Sequence, residues 1–356
     1  MKNNPKYFRG ARNHINNTFS RLAYEEDPEF REWSRLEGDD KNLSKTHCIT
    51  VFPKTIVNKV KSPDVGMDYS LNAYQGCEHG CAYCYARPTH EYWGLDAGLD
   101  FEQTILIKKN ADELLTSYLK TFKGAVSAIT LSGNTDCYQP IERKLELTRQ
   151  LLHIFLKYKY PVGIITKNTM VLRDLDILSQ LSELNLVHIY LSINTLDEDL
   201  RRKMEPRTSS VKKRLYTLKT LTEHNIPTSV MMAPLIPGLN SHEIISLCKE
   251  VSEQGARYVS YTLVRLNGKT EIVFRDWLKD AYPDRASRVW KQIEAAHGGR
   301  VGDSRFGTRM KGEGTFATAI AQQFTVARNR FFPNYEPFQF NTQLFRNQQT
   351  NQISLF

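Results

Sequence analysis

The chain predicts an α/β protein: a partial (β/α)6 barrel of the TIM type, carrying a basic C-terminal extension and a flexible tail. Two observations predict it. Between residues 66 and 264, short apolar runs alternate with longer stretches of helical period, the pattern of repeated βα units. Six such units occur, enough for a curved parallel sheet wrapped by helices. On such a barrel the active site sits at the carboxyl ends of the strands.

The elements follow in order. Residues 1–65 are polar, with short basic patches and an acidic stretch, YEEDPEFREW, and read as an irregular N-terminal extension. Strands are expected at YSLNAY (69–74), VSAITLS (126–132), VGIIT (162–166), VHIYLSI (187–193), TSVMMA (228–233) and YVSYTL (258–263). Helices fall between them. In IERKLELTRQLLHIFLKY (141–158), Leu145, Leu152 and Phe155 share a side; RDLDILSQLSEL (173–184) and SHEIISLCKEVSEQ (241–254) are similar. The extension, 265–333, holds 13 Lys/Arg against 7 Asp/Glu and includes the Gly- and Arg-rich GGRVGDSRFGTRMKGEG. That stretch reads as a solvated loop or as a contact to backbone phosphates. The tail, 334–356, holds five Gln, four Asn and five aromatics. Little in it buries a core, so it reads as disordered in isolation.

The whole chain has 356 residues, 40% hydrophobic and 24% charged, with net charge +9. That composition is ordinary for a folded cytosolic protein, and the charge suits a polyanionic partner. No run of 18 apolar residues exists, so no membrane span is expected. The first residues lack an apolar signal core, so the expected location is cytoplasmic.

Six cysteines are present: Cys48, Cys77, Cys81, Cys84, Cys137 and Cys248. A disulfide framework would spread them and need an oxidising compartment. Three instead crowd into YQGCEHGCAYCYARPTH, spaced Cys77-x3-Cys81-x2-Cys84, just after the first barrel strand. A structural zinc site normally draws four protein ligands from two separate pairs. Here three thiolates share one loop, with His79 interleaved as a candidate fourth ligand. Three thiolates suit three irons of a [4Fe–4S] cube and leave the fourth iron open to a small molecule.

With Tyr83 before its last cysteine, this loop resembles that of the radical S-adenosylmethionine (SAM) enzymes, over about residues 66–264. The resemblance implies a [4Fe–4S] cluster on Cys77, Cys81 and Cys84, SAM as second cofactor, and an electron donor as partner. It also implies reductive cleavage of SAM to a 5′-deoxyadenosyl radical that abstracts a hydrogen atom from substrate. The SAM contacts it implies lie at strand ends. Ser132, Gly133 and Asn134 stand where many members carry a Gly-Gly-Glu-like turn, so the acidic residue is missing. Lys167 suits the carboxylate of SAM, Ser192 and Asn194 its ribose or carboxylate, and Tyr83 its adenine.

The segments CAYCYARPTHEYWG, GNTDCYQPIE, KMEPRTSSVKKRL and MMAPLIPGLNSHEI together resemble the spore photoproduct lyase-like branch. The lyase of that branch repairs a crosslinked thymine dimer in DNA, using a cysteine at the end of strand two as hydrogen donor. No thiol lies at 128–136 here. Cys137, after the turn, is the candidate donor and Tyr138 the second; Cys137 also reads as a plain loop cysteine. The run RRKMEPRTSSVKKR, with seven Lys/Arg and one Glu over 201–214, reads as a solvated helix face or a phosphate-contacting rim, with Arg207 turned toward SAM. Damaged or modified DNA is the leading substrate class; RNA, a peptide or a small metabolite is the alternative. A DNA-associated iron–sulfur protein without SAM chemistry is a third reading.

The chain ends in Gln352-Ile353-Ser354-Leu355-Phe356. This string resembles the short peptide by which bacterial replication and repair proteins bind the sliding clamp. Leu355 and Phe356 would fill apolar pockets while Gln352 makes polar contacts. The other reading is a tail that packs back on the domain through its aromatics.

Replacing Cys77, Cys81 or Cys84 with Ala is expected to abolish the iron–sulfur absorbance of anaerobically reconstituted protein, because two thiolates hold a cube poorly. Replacing Cys48 or Cys248 is expected to leave the spectrum intact. Full occupancy by zinc alone would rule out the radical reading.

Overall fold

Strand alternation decides the architecture. The computed structural model describes residues 9–19 and 46–346. Its strands are β1 (His47–Val51), β2 (Val57–Lys59), β3 (Tyr69–Leu71), β4 (Tyr74–Gln75), β5 (Thr104–Lys108), β6 (Ile129–Leu131), β7 (Val162–Thr166), β8 (Val187–Ser192), β9 (Thr228–Leu235) and β10 (Val259–Leu263). Seven form one sheet in the order β10-β9-β8-β7-β6-β3-β2. Its neighbours run parallel except β2 with β3. The six expected barrel strands are all present, and β3 and β10 are not joined, so the barrel is open. A small second sheet, β1-β5-β4, stands beside it.

One parity of each strand is apolar. Leu71, Ile129, Leu131, Ile164 and Ile189 pack under helices Ala111–Thr121, Leu147–Tyr158 and Leu175–Glu183. Val230, Met232 and Val259 pack under Ile244–Glu253 and Gly314–Phe331. The other parity lines the concave side and is mostly polar. Ser70, Thr130, Gly163 and His188 stand in register across four strands, as do Ile165, Tyr190 and Ser229 across three.

Four expectations are corrected. Residues 46–65 are not irregular, since β1 and β2 join the two sheets; residues 9–19 pack against the cysteine loop, as detailed below. The helix expected over 141–158 is two, Glu142–Leu145 and Leu147–Tyr158, because Glu146 takes a left-handed backbone with φ +51°. The extension is no appendage. Helices Thr270–Ala281 and Pro283–Ala295 bury Phe274, Trp277, Val289 and Ile293 in one cluster with Cys81, Tyr83, Leu200 and Met204. The Trp277 indole donates to the Lys203 carbonyl at 2.8 Å.

The tail is packed as far as residue 346. Phe338 meets His188 edge-on at 4.8 Å, and Phe345 sits among Phe122 and Tyr160. The Asn341 amide donates to the Asn185 carbonyl at 2.9 Å. Aromatic burial at the amino ends of the strands outweighs the polar composition there. The Gln352–Phe356 string lies outside the described residues. Among the described residues no helix is long and apolar enough to cross a membrane.

Candidate active site

The loop from Cys77 to Cys84 follows β4 and is held by its backbone. The Cys77 amide donates to the Phe101 carbonyl at 2.8 Å, and the Ala82 amide to the Met204 carbonyl at 3.0 Å. Beneath it lies Arg87, fully buried. Its Nε and Nη2 donate to the Cys81 carbonyl at 3.1 and 2.8 Å, and Nη1 to the Ala97 and Gly98 carbonyls at 3.2 and 3.0 Å. Nη2 also pairs with the buried Glu102 carboxylate. Glu102 in turn accepts the Gly10 and Ala11 amides at 3.0 and 2.6 Å, seating residues 9–19 behind the loop. The approach there is close: a β-carbon on Gly10 would stand 1.8 Å from the Gly80 carbonyl oxygen.

Three more acids organise the site, Glu78 and Glu205 buried and Asp136 nearly so. Glu78 accepts from Ile141 N at 2.5 Å, the Thr46 hydroxyl at 2.7 Å and Arg207 at 3.2 Å; its own amide donates to Gln139 Oε1 at 2.9 Å. Asp136 accepts from the Thr166 hydroxyl at 2.8 Å and from the Lys167 and Tyr138 amides at 2.8 and 2.9 Å. It faces His79 Nδ1 at 3.3 Å. Burial pushes the Asp136 carboxyl up, but His79 and then the two amides hold it down at about 2. Burial likewise opposes charge on His79, yet Asp136 and then Cys77 carry it up to about 9. His79 Nε2 also meets Asn168 at 3.4 Å. Both ring nitrogens of the candidate fourth ligand are therefore engaged, which leaves a three-thiolate loop.

Glu205 is the third acid. It takes the Tyr83 hydroxyl on one oxygen and Arg214 at 2.5 Å on the other. Arg214 also donates to the Ser192 carbonyl at 3.0 Å, so this acid ties the cysteine loop to the end of β8. Asn194 follows, with Nδ2 3.5 Å from the Tyr83 oxygen and its carbonyl held by Asn240 at 2.7 Å. Asn194 is 1% exposed, and among the described residues nothing bonds its Oδ1. Burial disfavours the Lys167 ammonium, but Cys81 and then Glu205 raise its pKa and keep it charged.

The turn after β6 is also fixed. Ser132 has φ +75°, and its hydroxyl accepts the Cys137 amide at 2.8 Å. The Asn134 amide donates to Asn72 Oδ1 at 2.9 Å. Tyr85, which the sequence reading passed over, lies half-exposed beside Cys84 and donates its hydroxyl to the Gly133 carbonyl.

The strand-end residues thus gather at one end of the sheet: the Ser132–Asn134 turn, Lys167, Ser192, Asn194 and Tyr83. Cys137 and Tyr138 do not join them. Cys137 packs in the main apolar core with Leu131 and Leu147, and its thiol faces the Ser132 and Thr148 hydroxyls. Burial pushes that thiol well up, so it stays protonated. Tyr138 is fully buried in the same core, its hydroxyl 3.0 Å from Asp174. The structure does not bring either candidate donor to the loop. Arg207 turns to Glu78 and Thr46 and braces the loop. In the basic run, Arg201, Arg202, Lys203, Arg207 and Arg214 all pair with acids of the chain. Sequence reading missed Glu78, Arg87, Glu102, Asp136, Gln139 and Glu205. All but Glu102 sit inside the quoted motifs, but no local pattern set them apart there.

A three-thiolate loop at the strand ends of an open βα barrel marks a class of iron–sulfur enzyme that handles a small polar cofactor. Residues 71–251 match the radical SAM superfamily, and the chain belongs to it. An uncharacterized protein of Methanocaldococcus jannaschii is 32% identical over 241 residues, 68% of this chain and 86% of that one. One of Mycobacterium tuberculosis is 30% identical over 241 residues, 67% of this chain and 71% of that one. Among solved structures, spore photoproduct lyase complexed with dinucleoside spore photoproduct superposes with TM-score 0.60 at 16% identity, covering 80% of both chains. A mutant of that lyase with bound AdoMet and the dinucleoside gives 0.58 at 17% identity, covering 83% of this chain and 82% of that one.

The superfamily implies a [4Fe–4S] cluster and SAM, and this chain's residues fit both. Cys77, Cys81 and Cys84 would hold the cluster. The unpaired buried Asn194 Oδ1 and the charged Lys167 would receive the polar end of SAM. When bound, the cluster supplies the electron that splits a carbon–sulfur bond of SAM to give the 5′-deoxyadenosyl radical.

Asn194→Ala removes the unpartnered Oδ1 together with the long 3.5 Å contact of Nδ2 to the Tyr83 hydroxyl. It is expected to weaken SAM binding about 10-fold, the worth of one hydrogen bond to a charged ligand group, measured by equilibrium dialysis. The melting temperature and iron content should stay near wild type. A lower melting temperature with unchanged SAM affinity would return Asn194 to a structural role.

Proposed function

We propose that this radical SAM enzyme acts on DNA that carries a damaged or modified nucleotide. The observation that carries the reading is Tyr85, whose half-exposed ring stands beside the cysteine loop with the Arg265 guanidinium 5.7 Å away. An aromatic ring matches a base face, and a guanidinium matches a phosphate. The fold likeness to a lyase complexed with a dinucleoside points the same way. Anaerobic protein with a reductant is expected to release 5′-deoxyadenosine several-fold faster when lesion-containing DNA is added. Stimulation by RNA, peptide or metabolite pools in place of DNA would transfer the substrate to that class.

The sliding clamp is proposed as partner through Gln352, Ile353, Ser354, Leu355 and Phe356. The support is the sequence of that string alone. A peptide covering 347–356 is expected to bind the clamp of the source organism, and a Leu355→Ala, Phe356→Ala peptide to lose most of that affinity. Equal weak binding by the two would remove the clamp.

A further inference from the structure

The β2–β3 loop and the loop after β10 adjoin the two edge strands of the open sheet, β2 and β10, and one ion pair joins them. Arg309 Nε and Nη2 donate to the two Asp64 oxygens at 2.9 and 2.5 Å. The Gly307 amide points at the same carboxylate, 3.4 Å from Oδ2. A planar anion held by a guanidinium fork and a backbone N–H is bound as a phosphate is bound. Phe306, 60% exposed, lies under the Arg309 guanidinium at 4.6 Å.

Next to this pair stands Arg265. Its guanidinium lies 5.7 Å from the Tyr85 ring, whose hydroxyl reaches the turn after β6. Among the described residues nothing accepts a hydrogen bond from Arg265. The acids that face it, Asp64 and Asp303, are bonded to Arg309 and Arg305. Burial and then the neighbouring Arg309 disfavour its charge. An under-neutralised guanidinium thus sits between an aromatic face next to the cysteine loop and an arginine already gripping a carboxylate.

We infer that Arg265 and Arg309 form a phosphodiester subsite at the open side of the barrel, and that Asp64 is its internal competitor. This rests on the nucleic-acid reading above. Arg265 takes one phosphate oxygen directly. Arg309 exchanges Asp64 for the phosphate, and Tyr85 and Phe306 offer ring faces to the flanking bases. Asp64 screens the pair from other anions, and its release frees the loop after β10.

The test is fluorescence anisotropy of labelled single-stranded oligothymidylate on anaerobically reconstituted protein, titrated at several salt concentrations. Arg265→Gln is expected to weaken binding and to flatten the slope of log affinity against log salt by about 0.7, one single-strand phosphate contact. Asp64→Asn is expected to tighten binding several-fold and to steepen the slope. If the Arg309–Asp64 pair only braces the loops, Asp64→Asn weakens binding instead, and the competitor role is overturned. An Arg265→Gln slope equal to wild type, with melting temperature preserved, overturns the subsite while the nucleic-acid reading stands. Wild-type protein that binds no oligonucleotide overturns that reading and this subsite with it.

Discussion

The site depends on one buried ion pair, Arg87 with Glu102. A guanidinium taken wholly out of water is tolerable only where its donors are met, and here four carbonyl contacts and a carboxylate meet them. Removing one partner of such a pair typically costs about 3–5 kcal/mol, because the other is left charged and alone. The consequence is more than stability. The Cys81 carbonyl is one of the groups held, so the pair fixes the path of the loop whose thiols would hold the cluster. The remaining valences of Glu102 fix the segment behind the loop.

The same economy of charge runs through the rest of the site. Glu78, Asp136 and Glu205 are little exposed and each engaged, two of them by backbone amides and two by arginines. A run of seven cations that looks like an anion-binding rim in the sequence is thereby largely consumed inside the fold. The charge available to a partner is what remains after this internal pairing. It is concentrated on fewer residues than composition implies.

The six barrel strands were legible because a half-buried strand must alternate, and the alternation survives in Ile129-Thr130-Leu131 and in Val187 to Ser192. The cysteine loop was legible because its chemistry needs that spacing. The core position of Cys137 was not, because strand parity lapses at Ser132, whose left-handed backbone changes the direction of the side chains that follow. Glu146 breaks a helical period that reads as continuous from Ile141 to Tyr158 for the same reason. The tail was misread because composition counts residues, whereas three phenylalanines packed on His188, Tyr160 and Phe122 are enough to seat it. Arg87 and Glu102 lie 15 positions apart, and no local pattern pairs them.

The segment behind the cysteine loop bears on the order in which the molecule is built. Arg12 pairs with Asp280, 268 positions away, and Gly10 rests on Glu102, 92 positions away. Contacts so distant in sequence form late, since the intervening chain must first be ordered. Residues 9–19 are therefore seated only once Glu102 and Asp280 are in place. The Gly10 and Ala11 amides then complete the hydrogen bonding of Glu102 behind the loop that carries the three thiols.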